Sequence, residues 1–294
     1  MDDDGSRAGF PVLVSVDWLL PRLGKERIQV IDTSWDMSGK DIPNHDVFLA
    51  EHLPGAIHFD ADKVAAPHAG PPRRMMPAPD LFAQQVGALG IDPQATLVFY
   101  DNAGLYTAAR GWWMFHGSGH PRCAVLDGGL PAWKKAGGPL ELGTAQHHPP
   151  TTWPVFPRKP RTCDWRHVLA AIESGEEQIV DARPPEQFNG DTSFRYPGVR
   201  PGHIPRSTNL SQRKLRDADN RFHDIETMRG IFRSHGIDLS RPIISTCGSG
   251  ITACIIALAC EVIGEGAVKI YDGSWEEWGG RHDLPAELDP PGQA

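Results

Sequence analysis

An α/β architecture, occurring twice along the chain, is predicted by three observations. Short β-branched apolar runs alternate with segments of helical length, the pattern of strands joined by crossover helices around a mainly parallel sheet. The second half of the 294-residue chain repeats the order of the first. A stretch holding Pro149, Pro150, Pro154, Pro157 and Pro160, which no regular element accommodates, stands where two domains would join. The expected organisation is an N-terminal domain at 11–140, a Pro-rich linker at 141–160 and a C-terminal domain at 161–286.

The first half begins with a helical turn through Trp18, Leu19 and Leu20, for which Ser15 or Asp17 supplies the side-chain oxygen of an N-cap. Ile28 to Asp32 reads as a buried strand ending in an acid, and 33–53 reads as a loop. His52-Leu53-Pro54-Gly55 turns the chain into a short extended piece, and the Pro-rich stretch 65–79 with Arg73 and Arg74 is a loop. A helix over about 80–89, the strand Thr96 to Tyr100, a helix from Tyr106 to Phe115, the strand Ala124 to Leu126 and a helix carrying Trp133 complete the half.

Offsets of 145 to 151 residues map this order onto the second half. Asp164-Trp165 answers Asp17-Trp18, Ile179-Val180-Asp181 answers Val30-Ile31-Asp32, and His203-Ile204-Pro205 answers His52-Leu53-Pro54. Tyr271-Asp272-Gly273 with Trp278 answers Leu126-Asp127-Gly128 with Trp133.

The mapping sets Cys247 opposite Asp101 and Ser249 opposite Ala103. A residue needed for packing in both domains would appear in both, and this cysteine does not. Cys247-Gly248-Ser249-Gly250-Ile251-Thr252 follows the strand Pro242-Ile243-Ile244 and opens into an apolar helix. A thiol so placed faces the unpaired N–H groups of a helix N-terminus, which favour the thiolate. A cysteine can also be a small buried apolar residue; glycines at 248 and 250, which strip side chains from the loop, argue for a nucleophile. The expected arrangement is an active C-terminal domain walled by an N-terminal domain without the cysteine.

Composition narrows the chemistry. Apolar and charged fractions of 40% and 22% are those of a globular protein. A net charge of −8 argues against nucleic-acid or anionic-membrane partners and favours small molecules or proteins. No apolar stretch has the length of a membrane span, and Met1-Asp2-Asp3-Asp4 has the wrong charge for a targeting peptide, so a cytoplasmic location is expected. Five cysteines without a CxxC pair form neither a disulfide framework nor a thiolate metal site. Thirteen histidines include no HExxH, and no metal or cofactor is expected. Cys254 and Cys260 read as core; Cys123 and Cys163 could be exposed and serve as redox partners, with nothing around them to single them out.

The motifs Ile31-Asp32-Thr33-Ser34-Trp35, His52-Leu53-Pro54-Gly55-Ala56, Gly202-His203-Ile204-Pro205, the Cys247 loop and Asp272-Gly273-Ser274-Trp275-Glu276-Glu277-Trp278 together resemble the rhodanese superfamily, in its tandem-domain branch. The likeness runs from Val14 to about Pro285, and the loop is similar to that of the 3-mercaptopyruvate sulfurtransferases. The resemblance implies two rhodanese-like domains and sulfur transfer: the Cys247 thiolate takes the terminal sulfur of a donor, pyruvate leaves when the donor is mercaptopyruvate, and a thiol or cyanide removes the sulfur from the resulting persulfide. It implies Ser249 and Asp62 as assistants of proton movement, Gly248, Gly250, Ile251 and Thr252 as the N–H cradle of the sulfur, and an acceptor such as a small thiol or a thioredoxin-like protein. For Asp62 a solvated loop acid is the competing reading.

The chain departs from the family's pattern where two arginines hold the donor carboxylate: Gln187 and Tyr196 stand at those places, with Arg195 one residue away. Arg74 stands where the family has a histidine. Arg195, Arg183, Arg73 or Arg74 could restore the positive charge that an anionic donor needs. A thiosulfate-type sulfurtransferase and a persulfide relay without small-molecule turnover use the same cysteine. A cysteine phosphatase is disfavoured, because no arginine occurs between Cys247 and Arg281 to close a phosphate loop.

Overall fold

The computed structural model describes residues 10–68, 70–144, 146–156, 161–191 and 196–288. The chain forms two compact units. The first runs to Val64, resumes at Ala78 and takes in Asp219–Arg221; the second gathers Ala65–Pro77 with the chain beyond the junction. The described residues of Ala65–Pro77, a loop by sequence, form no helix or strand, and the segment packs with the half that carries Cys247.

In the first unit the order is β1 (Leu13–Val14), α1 (Val16–Leu19), β2 (Ile28–Asp32), α2 (Asn44–Ala50), β3 (Ile57–His58), α3 (Pro79–Ala88), β4 (Thr96–Tyr100), α4 (Ala108–Gly117), β5 (Cys123–Leu126) and α5 (Gly129–Lys135). Its five strands lie in the order β1-β5-β4-β2-β3, every pair parallel. Ser15, rather than Asp17, caps α1, its hydroxyl accepting from the Trp18 N–H at 3.2 Å. The helix α2 corrects the loop expected over 33–53. Pro43 precedes it, and it buries Phe48 to 1% exposure.

The second unit repeats the plan with β6 (Thr162–Cys163), α6 (Trp165–Ser174), β7 (Gln178–Asp181), α7 (Pro185–Phe188), β8 (Ser207–Asn209), a 3-10 turn at Gln212–Leu215, α8 (Ile225–Ser234), β9 (Ile243–Thr246), α9 (Ala253–Ile263), β10 (Val268–Tyr271) and α10 (Ser274–Trp278). The strand order β6-β10-β9-β7-β8 is again all parallel. Asp164 caps α6 by accepting from the His167 N–H at 3.0 Å. The helix α9 is apolar around its whole circumference, and it is buried accordingly from Ala253 to Cys260.

Each unit has its own core. Val30, Val98, Tyr100, Leu126 and Trp133 pack in the first, and Val168, Ile179, Ile244, Tyr271 and Trp278 in the second. Burying side chains of this size removes water from about 1.5–3 kcal/mol of apolar surface each. The repeated motifs have repeated packing roles. The Trp133 and Trp278 indoles donate to the carbonyls of Pro139 and Pro285. The rings of His52 and His203 stack on Phe48 and Phe188 at centroid distances of 4.2 and 3.8 Å. The Nδ1 of each histidine bonds the carbonyl of that same phenylalanine, at 3.0 and 3.1 Å. The His-x-Pro motif is thus a strand-entry device in both units. Among the described residues no helix is long and apolar enough to cross a membrane.

Candidate active site

In the second sheet, β9 connects onward to β10 on one side and β7 to β8 on the other, so their carboxyl ends form a topological switch point, the ordinary ligand position in an open parallel sheet. Cys247 is the residue after β9. Its carbonyl accepts from the Trp275 N–H at 3.0 Å and the Gly248 carbonyl from the Glu276 N–H at 2.8 Å, so the loop is tied to the start of α10. The Cys247 N–H donates to Ser274 Oγ at 3.2 Å; that hydroxyl donates to the Tyr271 carbonyl at 2.8 Å and lies 4.0 Å from Cys247 Sγ. Ser274 adopts a left-handed backbone, φ +50°. Non-glycine residues do so at a cost of about 1–2 kcal/mol.

The two loop glycines are required by space. A Cβ at Gly248 would lie 2.6 Å from the Tyr196 hydroxyl, and one at Gly250, whose φ is +77°, would lie 2.7 Å from the Asp272 carbonyl oxygen. Cys247 is 1% exposed, Ile251 3% and Ser249 7%. Thr252 stands at the N-cap of α9 without a side-chain capping bond.

The first unit shows what this backbone is built to hold. At the position of Cys247 stands Asp101, whose Oδ1 accepts from the Ala103 N–H at 2.9 Å and whose Oδ2 accepts from those of Tyr106 and Ala108 at 2.6 and 2.8 Å. The loop there is an anion cradle filled by its own carboxylate. Ser249 and Thr252 occupy the places of Ala103 and Tyr106, and their N–H groups take no acceptor among the described residues.

Several of the expected residues gather around Cys247. Tyr196 hydrogen-bonds to the Ser249 side chain, and its phenol is pushed above the ordinary value by burial. The charges of Cys247 and Glu276 add to that rise, while Ser249 and Arg74 oppose it. Arg74 has a left-handed backbone, φ +64°. Arg73 grips the buried carboxylate of Glu276, with Nε at 3.1 Å and Nη2 at 3.0 Å from Oε1. Asp272 Oδ2 accepts from the Met76 N–H. Arg73 and Met76 thereby fasten the Ala65–Pro77 segment beside the Cys247 loop.

Other expected residues are placed differently. Arg183 is 4% exposed. Its fork is bound to Asp181, with Nε at 3.1 and 3.0 Å from the two oxygens and Nη2 at 2.7 Å, and Nη2 also reaches the Gly202 carbonyl at 3.0 Å. Its guanidinium lies 4.8 Å from the Trp275 ring centroid. Arg183 is thereby held by Asp181 and stacked on Trp275. Gln187 shares a small pocket with Tyr196, Arg183, Arg200 and Trp275. Arg195 lies outside the described residues. Asp62, in the first unit, is exposed, and its N–H donates to Asp60 Oδ1 at 2.9 Å.

The remaining thiols are buried or held protonated. Burial pushes Cys163 and Cys260 up to about 12, and the Cys254 thiol donates to the Gly250 carbonyl at 3.4 Å. Cys123, considered as a surface thiol, is buried with its sulfur 3.3 Å from His120 Nδ1. The sequence reading did not assign roles to Ser274, Glu276 or Tyr196. The first two sit in the Asp272–Trp278 motif, whose contacts with the loop become visible only once β9 and β10 are side by side.

The rhodanese-like domain family matches residues 15–136 and 165–281. The chain is 34% identical over 275 residues to the 3-mercaptopyruvate sulfurtransferase of Escherichia coli K12, covering 93% of this chain and 97% of that one. It is 36% identical over 279 residues to the human 3-mercaptopyruvate sulfurtransferase, covering 90% and 91%. The crystal structure of SseA, a 3-mercaptopyruvate sulfurtransferase from Escherichia coli, superposes with a TM-score of 0.81 at 31% identity, covering 90% of this chain and 99% of that one. With two matched domains, relatives similar over nearly their whole length, and a cysteine on the cradle of the second domain, the chain belongs to the rhodanese family and is a sulfurtransferase.

Proposed function

We propose that the chain moves sulfane sulfur from a small donor, 3-mercaptopyruvate by preference, through a persulfide on Cys247 to a thiol or cyanide. The observation that carries this reading is the pair of loops. One holds a carboxylate on three N–H groups, and the other, on the same backbone plan, presents Cys247 with the N–H groups of Ser249 and Thr252 taking no acceptor among the described residues. Thiolate and persulfide are both anions, so one cradle serves the resting enzyme and the intermediate.

In this reading the Cys247 thiolate attacks the donor sulfur, a sulfur–sulfur bond forms as the carbon–sulfur bond breaks, and the departing enolate of pyruvate takes a proton to become pyruvate. Ser249 stands two residues after Cys247, in the same loop. Arg74 is the cation for an anionic donor, supported by its electrostatic reach to Tyr196. Asp62 enters on the family resemblance, and Asp62→Asn tests it through kcat with mercaptopyruvate. A small thiol or a thioredoxin-like protein is the proposed acceptor.

The deciding experiment offers mercaptopyruvate and thiosulfate separately to wild type and to Cys247→Ser, then weighs the intact proteins. The expected result is one added sulfur atom in wild type with mercaptopyruvate and none in the variant. A sulfur atom gained from thiosulfate alone would move the donor class, and a gain from neither would overturn the persulfide reading.

A further inference from the structure

The segment Ala65–Pro77 brings two adjacent arginines, Arg73 and Arg74, into the unit that holds Cys247. They are used differently. Arg73 is engaged by Glu276, whose side chain is fully buried while that of Arg73 is 42% exposed. Glu276 Oε1 accepts from the guanidinium, with Nε at 3.1 Å and Nη2 at 3.0 Å, and Oε2 accepts from the Arg73 backbone N–H at 3.3 Å. One carboxylate thus holds the segment by its main chain as well as by its charge. A glutamine does not do both, because its amide nitrogen donates where Oε2 accepts.

Glu276 also faces the loop of the nucleophile, its own N–H donating to the Gly248 carbonyl at 2.8 Å. A second tie lies further along the segment. The Met76 N–H donates to Asp272 Oδ2, while Asp272 Oδ1 would stand 3.3 Å from a Cβ at Gly250. The Ala66 N–H closes the segment on the Met75 carbonyl at 2.9 Å. Between these ties is Arg74, in a left-handed backbone with φ +64°. An L-residue adopts that conformation at a cost and keeps it only where its surroundings impose it, here through the ties on either side. Consecutive Cα atoms are about 3.8 Å apart, so the Arg74 backbone stays beside the Cys247 loop as long as Arg73 and Met76 are fastened. Its charge is felt at the Tyr196 phenol, which lies against Gly248.

We propose that Glu276 is a positioning residue for donor recognition: by clamping Arg73 it sets Arg74 beside the Cys247 loop as the cation that takes the donor's carboxylate. The proposal rests on the reading of Arg74 given above. It accounts for the binding of an anionic donor by a chain that has Gln187 and Tyr196 where the family pattern has two arginines. The charge of Arg73 is answered by Glu276, which leaves that of Arg74 for the donor. Recognition of the carboxylate thereby moves to the segment that precedes α3, and the carboxylate that makes this possible sits on α10, one residue from the tryptophan whose N–H holds the Cys247 carbonyl.

The test measures kcat and KM for mercaptopyruvate in the full-length protein, with Glu276→Gln, Arg73→Met, Arg74→Ala and the double variants of each of the first two with Arg74→Ala. Glu276→Gln leaves the backbone bond to Gly248 in place and removes only the charge and one acceptor. Glu276→Gln and Arg73→Met are each expected to raise KM about tenfold while kcat changes less than about threefold. On the Arg74→Ala background neither raises KM by more than about a further twofold. Arg73→Met releases the segment from its exposed end, so it carries the test if Glu276→Gln does not fold. A loss in kcat without a change in KM, or KM increases that multiply in the double variants, would overturn the positioning role while leaving the Arg74 reading intact. An unchanged KM in Arg74→Ala would remove the Arg74 reading itself, and this inference with it.

Discussion

Replacing Gly250 by alanine perturbs the cradle without touching any reactive group. Gly250 has φ +77°, a conformation that costs an L-residue about 1–2 kcal/mol. The new Cβ would stand 2.7 Å from the Asp272 carbonyl oxygen, a backbone atom with no rotamer to change. The loop must therefore shift by several tenths of an ångström, carrying the N–H groups of Ser249 and Thr252 off the sulfur. Displacements on the order of 1 Å at a reacting centre cost about a hundredfold in rate, so a loss of roughly ten- to a hundredfold is expected here. The first unit supplies the control. Gly104 occupies the matching position with φ +106°, and a Cβ there would lie 2.7 Å from the Asn220 Cβ. Gly104→Ala strains a loop that holds Asp101 instead of a thiol. Thermal melts measure the structural cost of each variant, and single-turnover persulfide formation by quench and intact mass measures the chemical one. Comparable losses of melting temperature with a rate loss only in Gly250→Ala are expected. Equal rate losses in both variants, or an unchanged rate in Gly250→Ala, would refute the cradle argument.

Three further outcomes can be checked. Ser274→Gly relieves the left-handed strain and removes the hydroxyl that accepts the Cys247 N–H; stability in urea melts should hold or rise by up to about 1 kcal/mol while turnover falls. Burial pushes Asp32 up to about 6, against hydrogen bonds with Tyr100 and Ser34 that pull it down and with the Asp101 charge adding to the rise. Because the folded protein holds this proton more tightly than the unfolded chain, its contribution is full well below pH 3.8 and is lost as pH rises through about 6, so the stability of Asp32→Asn relative to wild type should grow by roughly 2 kcal/mol between pH 4 and pH 7. Asp181→Asn is the opposite case: it strands the buried Arg183 guanidinium and should destabilise the second unit by about 3–5 kcal/mol in the same melts.

The architecture was readable because the two halves check each other. Val30-Ile31-Asp32 and Ile179-Val180-Asp181 are short runs that would each be ambiguous alone, and their common offset fixed both as strands. The proposed nucleophile stands out in the sequence through the substitution of Asp101 by Cys247 at a shared position. The helix α2 was not, since its seven residues behind Pro43 carry no sustained period, and Phe48 declares its burial only through packing on His52 and His58. Arg183 was considered as a donor ligand because charge can be counted in sequence, whereas its fork on Asp181 is a property of side-chain direction at the end of β7. Ser274 and Tyr196 were silent for a related reason: a positive φ and a phenol lying on Gly248 arise from tertiary packing, and no residue type announces them.

The two units also show how one backbone can be kept while its occupant changes. Gly129 and Ser274 hold the same left-handed conformation, φ +51° and +50°, at matching positions beside their loops. In the first unit a side chain there is forbidden, since a Cβ would lie 2.5 Å from the Asp101 carbonyl oxygen. In the second the serine is accommodated, and its hydroxyl accepts from the Cys247 N–H. A carboxylate satisfies three loop N–H groups by itself and needs no help from this position. A thiol reaches fewer donors and, in the proposed persulfide, shares them with a second sulfur. Ser274 holds Cys247 by its backbone N–H and Tyr196 holds Ser249 by its side chain, while the Ser249 and Thr252 N–H groups take no acceptor among the described residues. Under the proposed sulfur transfer, the strain at Ser274 is offset by the acceptor that its hydroxyl gives to the Cys247 N–H.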